Sequence, residues 1–166
     1  GVSFRQIVDH NFSVMNFLQE IHTSLPKPLK VTAEFTLNNE IGKLFEQHEP
    51  DPQELRDLLY NAKNWDISLD SHVLRYKAGW KIEDLIWGLF QTPHDLVLLK
   101  ELQEILQIIC SMDLDIDLWK AQNIYFKLAR ETYPQKLTQG QDGDKTCQYW
   151  RELFEKIGEH LQVKVD

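Results

Sequence analysis

DLDIDLWKAQNIYFKLARETYP, residues 113–134, is the stretch whose spacing decides the fold class. Asp113, Asp115 and Asp117 alternate with Leu114 and Ile116, the pattern of an extended entry, and Asp117 stands where a helix cap is wanted. From Leu118 onward the apolar spacing changes to steps of three and four. Leu118, Ala121, Tyr125, Leu128 and Thr132 form one stripe, and Trp119, Gln122, Phe126 and Tyr133 form a second beside it. Lys120, Asn123, Lys127 and Arg130 are left for solvent. A helix with two adjoining greasy faces needs neighbours on both, so this helix is expected at the centre of a helical bundle.

Working outward, residues 3–23 read as one helix with Phe4, Ile7, Val8, Val14, Phe17, Leu18 and Ile21 inward. Pro26 and Pro28 break the chain, and Pro28 suits the first turn of a second helix over about 28–48, where its missing N–H is not needed. Leu29, Ala33, Leu37, Ile41 and Leu44 mark that stripe, widened by Phe35 and Phe45, with Glu34 and Asn38 one turn apart beside it. Asp51, Pro52 and Glu54 have the capping-box arrangement and start a third helix carrying Leu55, Leu58, Leu59 and Ala62. A fourth runs from an Asp70 cap to about Gln91, with Leu74, Ala78, Ile82, Leu85 and Leu89 on one face and Tyr76, Trp80 and Trp87 offset from it. Thr92, Pro93 and Asp95 repeat the start signal for a fifth, with Leu96, Leu99, Leu102, Leu106 and Ile109. Gln139 to Gly143 reads as a loop. A last amphipathic helix, about 144–162, turns Trp150, Leu153, Phe154, Ile157 and Leu161 inward.

These segments predict an all-α fold, a bundle of about seven helices in a single domain over residues 1–166. A duplicated helical hairpin is a further option. DPQEL at 51–55 echoes TPHDL at 92–96, and WDISLD at 65–70 echoes MDLDID at 112–117, offsets of 41 and 47 residues that match helix-pair repeats. The two linkers alternate apolar and polar residues, which predicts extended chain that could pair as a short ladder.

Composition narrows function mainly by exclusion. With 166 residues, 42% apolar and 11% aromatic, the chain can bury a real core. A formal net charge of −8 argues against nucleic acid or an anionic membrane as partner. No apolar run is long enough to span a bilayer, and no signal peptide opens the sequence, so a cytoplasmic protein is expected. Cys110 and Cys147 read as free thiols. The first residue is Gly rather than Met, which suggests a piece of a longer protein.

Residue chemistry by itself says no more than soluble helical domain. Asp113, Asp115 and Asp117 have the opening spacing of a calcium loop, but Leu118 and Ile124 stand where that loop needs Gly and Glu. The six histidines show no metal-ligand spacing, and there is no glycine-rich phosphate loop, GxSxG or CxxC. No metal or cofactor is expected. Glycoside chemistry needs only two carboxylates, and Glu34 is the acid to weigh, set in VTAEFTL where burial would disfavour its charged form. A carboxylate at the edge of a helix face is the simpler reading. Of the five tryptophans, Trp80 and Trp87 are the two expected at the surface, as a sugar platform or a docking face.

Two runs carry a family resemblance. HNFSVMNFLQEIHTSLPKPLKVTAEFTLNNEIGKLFE (10–46) and LDIDLWKAQNIYFKL (114–128) resemble the uncharacterised helical region that follows the catalytic domain in bacterial proteins related to glycoside hydrolase family 57. The resemblance implies a non-catalytic accessory domain. Its partner would be an α-amylase- or α-mannosidase-like catalytic barrel of the same polypeptide, whose cleft, holding an α-glucan or related saccharide, it would support or line. No catalytic motif of the family matches here, so the chain alone is expected to be inactive. Glu34, Asn38, Trp119, Gln122 and Asn123, all within the matching runs, are the candidate substrate-binding residues. A helix-repeat module for protein interaction, unrelated to carbohydrate, is the alternative. An autonomous enzyme using Glu34 is a third.

Overall fold

Short side chains that capture backbone amides, Ser3, Asp51, Asp70 and Asp95, set four of the helix starts. In the computed structural model, which describes residues 2–139 and 145–163, the fold is all-α: 78% helical with no strand among the described residues. Nine helices are described: α1 Phe4–His10, α2 Phe12–Glu20, α3 Lys27–Glu46, α4 Pro52–Asn64, α5 Ser71–Gln91, α6 Leu96–Ser111, α7 Trp119–Glu131, α8 Tyr133–Gln139 and α9 Lys145–Leu161. The chain divides into two compact units, Gly1–Lys77 and Ala78–Asp166, and α5 supplies residues to both. Except for Gln139, which ends α8, the expected 139–143 loop lies outside the described residues.

The count exceeds seven because the first expected helix is divided and a further short helix, α8, follows the sixth. Asn11 interrupts the first: its Nδ2 donates to the Ile7 carbonyl at 2.9 Å, and such local side-chain bonds compete with the helical ladder. At the other break Thr132 ends α7 and α8 begins at Tyr133, with Pro134 in its first turn.

In the first unit α3 is the main support. Its Ala33, Leu37, Ile41, Leu44 and Phe45 are buried, and it packs against α1, which contributes Phe4 and Ile7, and α4, which contributes Leu55 and Ala62. Phe35, expected to widen this stripe, instead stands 75% exposed. α2 departs from its expected face, with Leu18 only half-buried. Val14, Phe17 and Ile21, expected inward, are exposed, while Met15 is buried.

Glu40 of α3 reaches the start of α1, each carboxylate oxygen accepting from the Phe4 amide at 3.2 Å. Burial, helped by the charge of Glu54 and opposed by that amide and Lys43, raises its carboxyl above the ordinary value. A raised acid binds more protons folded than unfolded. Its contribution is therefore full below the unfolded pKa of about 4.3 and is lost as pH rises through the folded value. Glu40→Gln, which keeps one acceptor, is expected to gain stability relative to the parent as pH rises across that range. Urea midpoints measured at several pH values check this, and parallel curves would reject it.

In the second unit α9 is central, not α7. α9 packs against α6, α7 and α8, and all its expected inward residues, Trp150, Leu153, Phe154, Ile157 and Leu161, are buried. On α6, which packs against it, Leu99, Leu102, Ile105, Leu106, Ile108 and Ile109 are buried. On α7 the first stripe is buried at Ala121, Tyr125, Leu128 and Thr132. The second is largely open: Trp119 is 67% exposed and Phe126 51%, the latter with the Arg130 guanidinium 5.7 Å from its ring centroid.

The start signals echo less closely than their sequences suggest. Asp51 caps α4 by accepting from Gln53 N–H at 2.8 Å, not from the Glu54 amide a capping box uses. Thr92, expected to cap the fifth helix, turns back instead and donates to the Gly88 carbonyl at 3.0 Å. Asp95 takes over, accepting from the Val97 and Leu98 amides at 2.9 and 3.1 Å, so the helix starts three residues later. Asp117, too, bonds the Trp119 amide at 3.0 Å without being the cap residue, which is Leu118.

The linkers echo better, though not as a strand ladder. Asp66 and Asp113 both adopt left-handed backbone, φ 50° and 52°, and in both linkers an aspartate four residues later serves the next helix. His22 and Gln162 share the conformation, φ 53° and 57°. Behind His22, Asp66 and Gln162 the next amide reaches back to close the helix end: Thr23 to Leu18, Ile67 to Ala62 and Val163 to Gly158, at 2.8, 2.8 and 2.9 Å. Left-handed backbone costs an L residue about 1 kcal/mol or more. His22→Gly, an exposed change, is therefore expected to raise stability by about 0.5–1 kcal/mol, read as a higher urea midpoint. An unchanged or lower midpoint would contradict it.

Candidate functional site

The first unit has a cleft between α3 and the start of α5. Val31, Glu34, Phe35 and Asn38 recur at helical steps and so share one face of α3. The linker residues Ser68, Leu69 and Asp70 and the first turns of α5 complete it, an open cleft of about 510 Å³. Val31, Phe35 and Val73 are exposed apolar walls, while Leu69 is half-buried and Leu74 fully buried.

Of the five expected binding residues, Glu34 and Asn38 line this cleft. Asn38 is committed to structure. Its Nδ2 donates to the Glu34 carbonyl at 2.8 Å and the Ser68 carbonyl at 2.9 Å, and its Oδ1 accepts from the Asp70 amide at 2.6 Å. The amide thus fastens the 65–70 linker to α3 and positions Asp70, whose Oδ1 caps α5 by accepting from the His72 and Val73 amides at 3.1 and 3.2 Å. Asn38→Ala would leave these groups without that partner and is expected to cost about 1–3 kcal/mol. Chemical denaturation followed by circular dichroism reads this, and a loss under about 0.5 kcal/mol would deny Asn38 the clamping role.

Glu34 is half-buried at an open cleft, not enclosed. Among the described residues its carboxylate takes one hydrogen bond, a long one, 3.5 Å from the Ser68 amide. The simpler sequence reading, an acid at the edge of a helix face, describes it.

Trp119, Gln122 and Asn123 stand on α7 in the second unit. Gln122 is also structural: its Nε2 donates to the Leu161 carbonyl at 2.9 Å and helps close the end of α9. Trp119 and Asn123 are exposed. Trp80 and Trp87 are half-exposed as expected, Trp87 with its ring stacked on Phe90 at 5.6 Å. Sequence reasoning missed Ser68, Asp70 and Lys77 as cleft residues. The signal available was their place in and after an Asp-capped linker, but only the fold brings that linker against Asn38.

The perturbed groups lie elsewhere. Burial raises the Cys110 thiol. Burial and then Glu155, which accepts the Tyr133 hydroxyl at 2.5 Å, push that phenol up to about 12. Burial likewise raises Tyr125, whose hydroxyl donates to the Phe154 carbonyl at 2.9 Å. Each is explained by packing or a structural bond. Among the described residues no three His, Cys, Asp or Glu side chains gather as a metal site, and no helix is long and apolar enough to cross a membrane. Among the described residues neither Cys110 nor Cys147 forms a disulfide. The cleft offers carboxylates, amides, a hydroxyl and apolar walls, a set suited to holding a ligand by charge and contact. Comparisons of the chain with protein-family models, with curated proteins and with solved structures give no match.

Proposed function

We propose that this chain is a non-catalytic accessory helical domain of a cytoplasmic protein like those of glycoside hydrolase family 57. In this reading it supports or lines the carbohydrate cleft of a catalytic barrel in the same polypeptide. The observation that carries the reading is the apolar face left open on α2, where Val14, Phe17 and Ile21 are 51%, 59% and 50% exposed. Apolar spacing at three and four residues normally marks a face that something covers. A neighbouring domain is the cover proposed, and the LPKPL…AEFTLN and DLWKAQNIYF runs supply its kind. Trp119 and Phe126 on α7 offer a second uncovered face of the same character.

The experiment is to assay the parent protein on α-glucans with and without residues 1–166, alongside the isolated chain. The isolated chain is expected to be inactive, and the truncated parent to lose activity or solubility. An unaffected parent would overturn the reading, and so would turnover by the isolated chain abolished by Glu34→Gln.

A second reading, a helix-repeat module for protein interaction, is favoured by the matched linkers at Asp66–Asp70 and Asp113–Asp117. It would replace the first if the parent reading frame encoded no barrel with paired catalytic carboxylates.

A further inference from the structure

The α3–α5 cleft has a charge imbalance that selects among ligands. Its lining contains one cationic side chain, Lys77, and that ammonium is already 2.7 Å from the Glu46 carboxylate. Two carboxylates also line it. Among the described residues the Glu34 carboxylate holds only the long bond from Ser68, and Asp70 uses Oδ1 for its cap. Beside them stand the exposed apolar groups of Val31, Phe35 and Val73. An anion would meet like charge at this site. A neutral sugar would find the Asn38 amide consumed on both sides by backbone, and a single aromatic ring, Phe35, among otherwise aliphatic walls. A lysine or arginine fits both features at once, because its methylene stem can lie on apolar surface while its charged head meets a carboxylate.

We propose that this cleft is a docking site for a peptide segment that carries Lys or Arg beside an apolar side chain. The apolar side chain packs against Phe35, Val31 and Val73, and the cation sits between Glu34 and Asp70. The cleft volume of about 510 Å³ lies within the roughly 300–1,000 Å³ typical of ligand sites, enough for a short anchor of a segment. The partner is defined by that chemistry alone, so the site does not depend on a carbohydrate role for the rest of the protein.

The test is selection of a random peptide library displayed on phage against the 166-residue chain. Selected peptides are then synthesised and titrated calorimetrically. Sequences pairing Lys or Arg with Leu, Phe or Met are expected, with affinity that weakens as salt is added. Glu34→Gln combined with Asp70→Asn should weaken binding at least about tenfold, since Asn keeps the helix cap. Phe35→Ala, a change at an exposed position, should also weaken it without altering charge. Glu34→Lys should restore binding to peptides whose Lys is exchanged for Glu, a gain that an unfolded variant could not produce. Circular dichroism establishes that each variant is folded. The proposal is overturned if selection yields nothing or yields acidic or uncharged sequences, or if the selected peptides bind the double variant as well as the parent. It is also overturned if a malto-oligosaccharide, and no peptide, shifts the amide resonances of Ser68 and Val73, which would give the cleft to sugar. None of these outcomes bears on the activity of a parent lacking residues 1–166, so this proposal and the accessory-domain reading can fail separately.

Discussion

Trp150→Ala is expected to destabilise the second unit by about 3–5 kcal/mol. The indole is 1% exposed at the centre of α9. It stacks on Phe154 with ring centroids 4.8 Å apart, and its Nε1 donates to the Pro93 carbonyl at 2.9 Å, fastening α9 to the turn before α6. The Lys136 ammonium of α8 lies 5.8 Å from the ring centroid. Truncation therefore opens a cavity and removes the donor to Pro93 in one step. Domains of this kind have about 5–15 kcal/mol in all, so the variant should show a much lower urea midpoint and premature loss of helical signal on heating. Trp150→Phe separates the two effects. It keeps a stacked ring and loses the bond, and should cost clearly less than Ala. A truncation cost below about 1 kcal/mol would mean that α9 is not the element the unit is built on.

Gly158→Ala should lower stability by about 1–3 kcal/mol, although helix propensity alone would favour Ala by about 1 kcal/mol. A Cβ here would stand 2.5 Å from the Tyr125 hydroxyl oxygen and 2.8 Å from the Val163 carbonyl oxygen. Neither can yield cheaply. The hydroxyl is bonded to the Phe154 carbonyl at 2.9 Å and its ring is stacked on Phe154 at 4.4 Å, while the Val163 amide closes α9 onto Gly158 at 2.9 Å. A double-mutant cycle with Tyr125→Phe tests this cause. Removing the hydroxyl relieves one of the two clashes, so the pair should cost less than the sum of the singles. Strict additivity would place the strain at Val163 instead, and a stabilising Gly158→Ala would refute the close approach altogether.

The same pair shows where reading the sequence stops. Tyr125 and Phe154 were each legible as inward residues from their spacing, but Gly158 carried no signal, because its role is to leave room for a hydroxyl 33 positions earlier. Asn38 and Gln122 make the point for the candidate site. Amides beside apolar stripes read equally well as ligand-binding or as structural, and only the position of the Ser68 and Leu161 carbonyls shows both to be clamps. α2 gives the opposite lesson, since its stripe was legible and its partner was not: Val14, Phe17 and Ile21 have the period of a buried face and stay open.

The sequence by itself determined the all-α class, the start of α4, the approximate ends of α3, α5 and α9, and the buried faces of α3, α5 and α9. Those properties depend on periodicity and on caps within a few residues, which local chemistry dictates. Tertiary structure decided that α9 and not α7 is central, that Asp95 and not Thr92 starts α6, and that Asn38 holds the linker bounding the acidic cleft. Each of these depends on which surface or backbone group meets a side chain from a distant part of the chain. Spacing along one helix says that a face wants covering, and it carries no information about what will cover it.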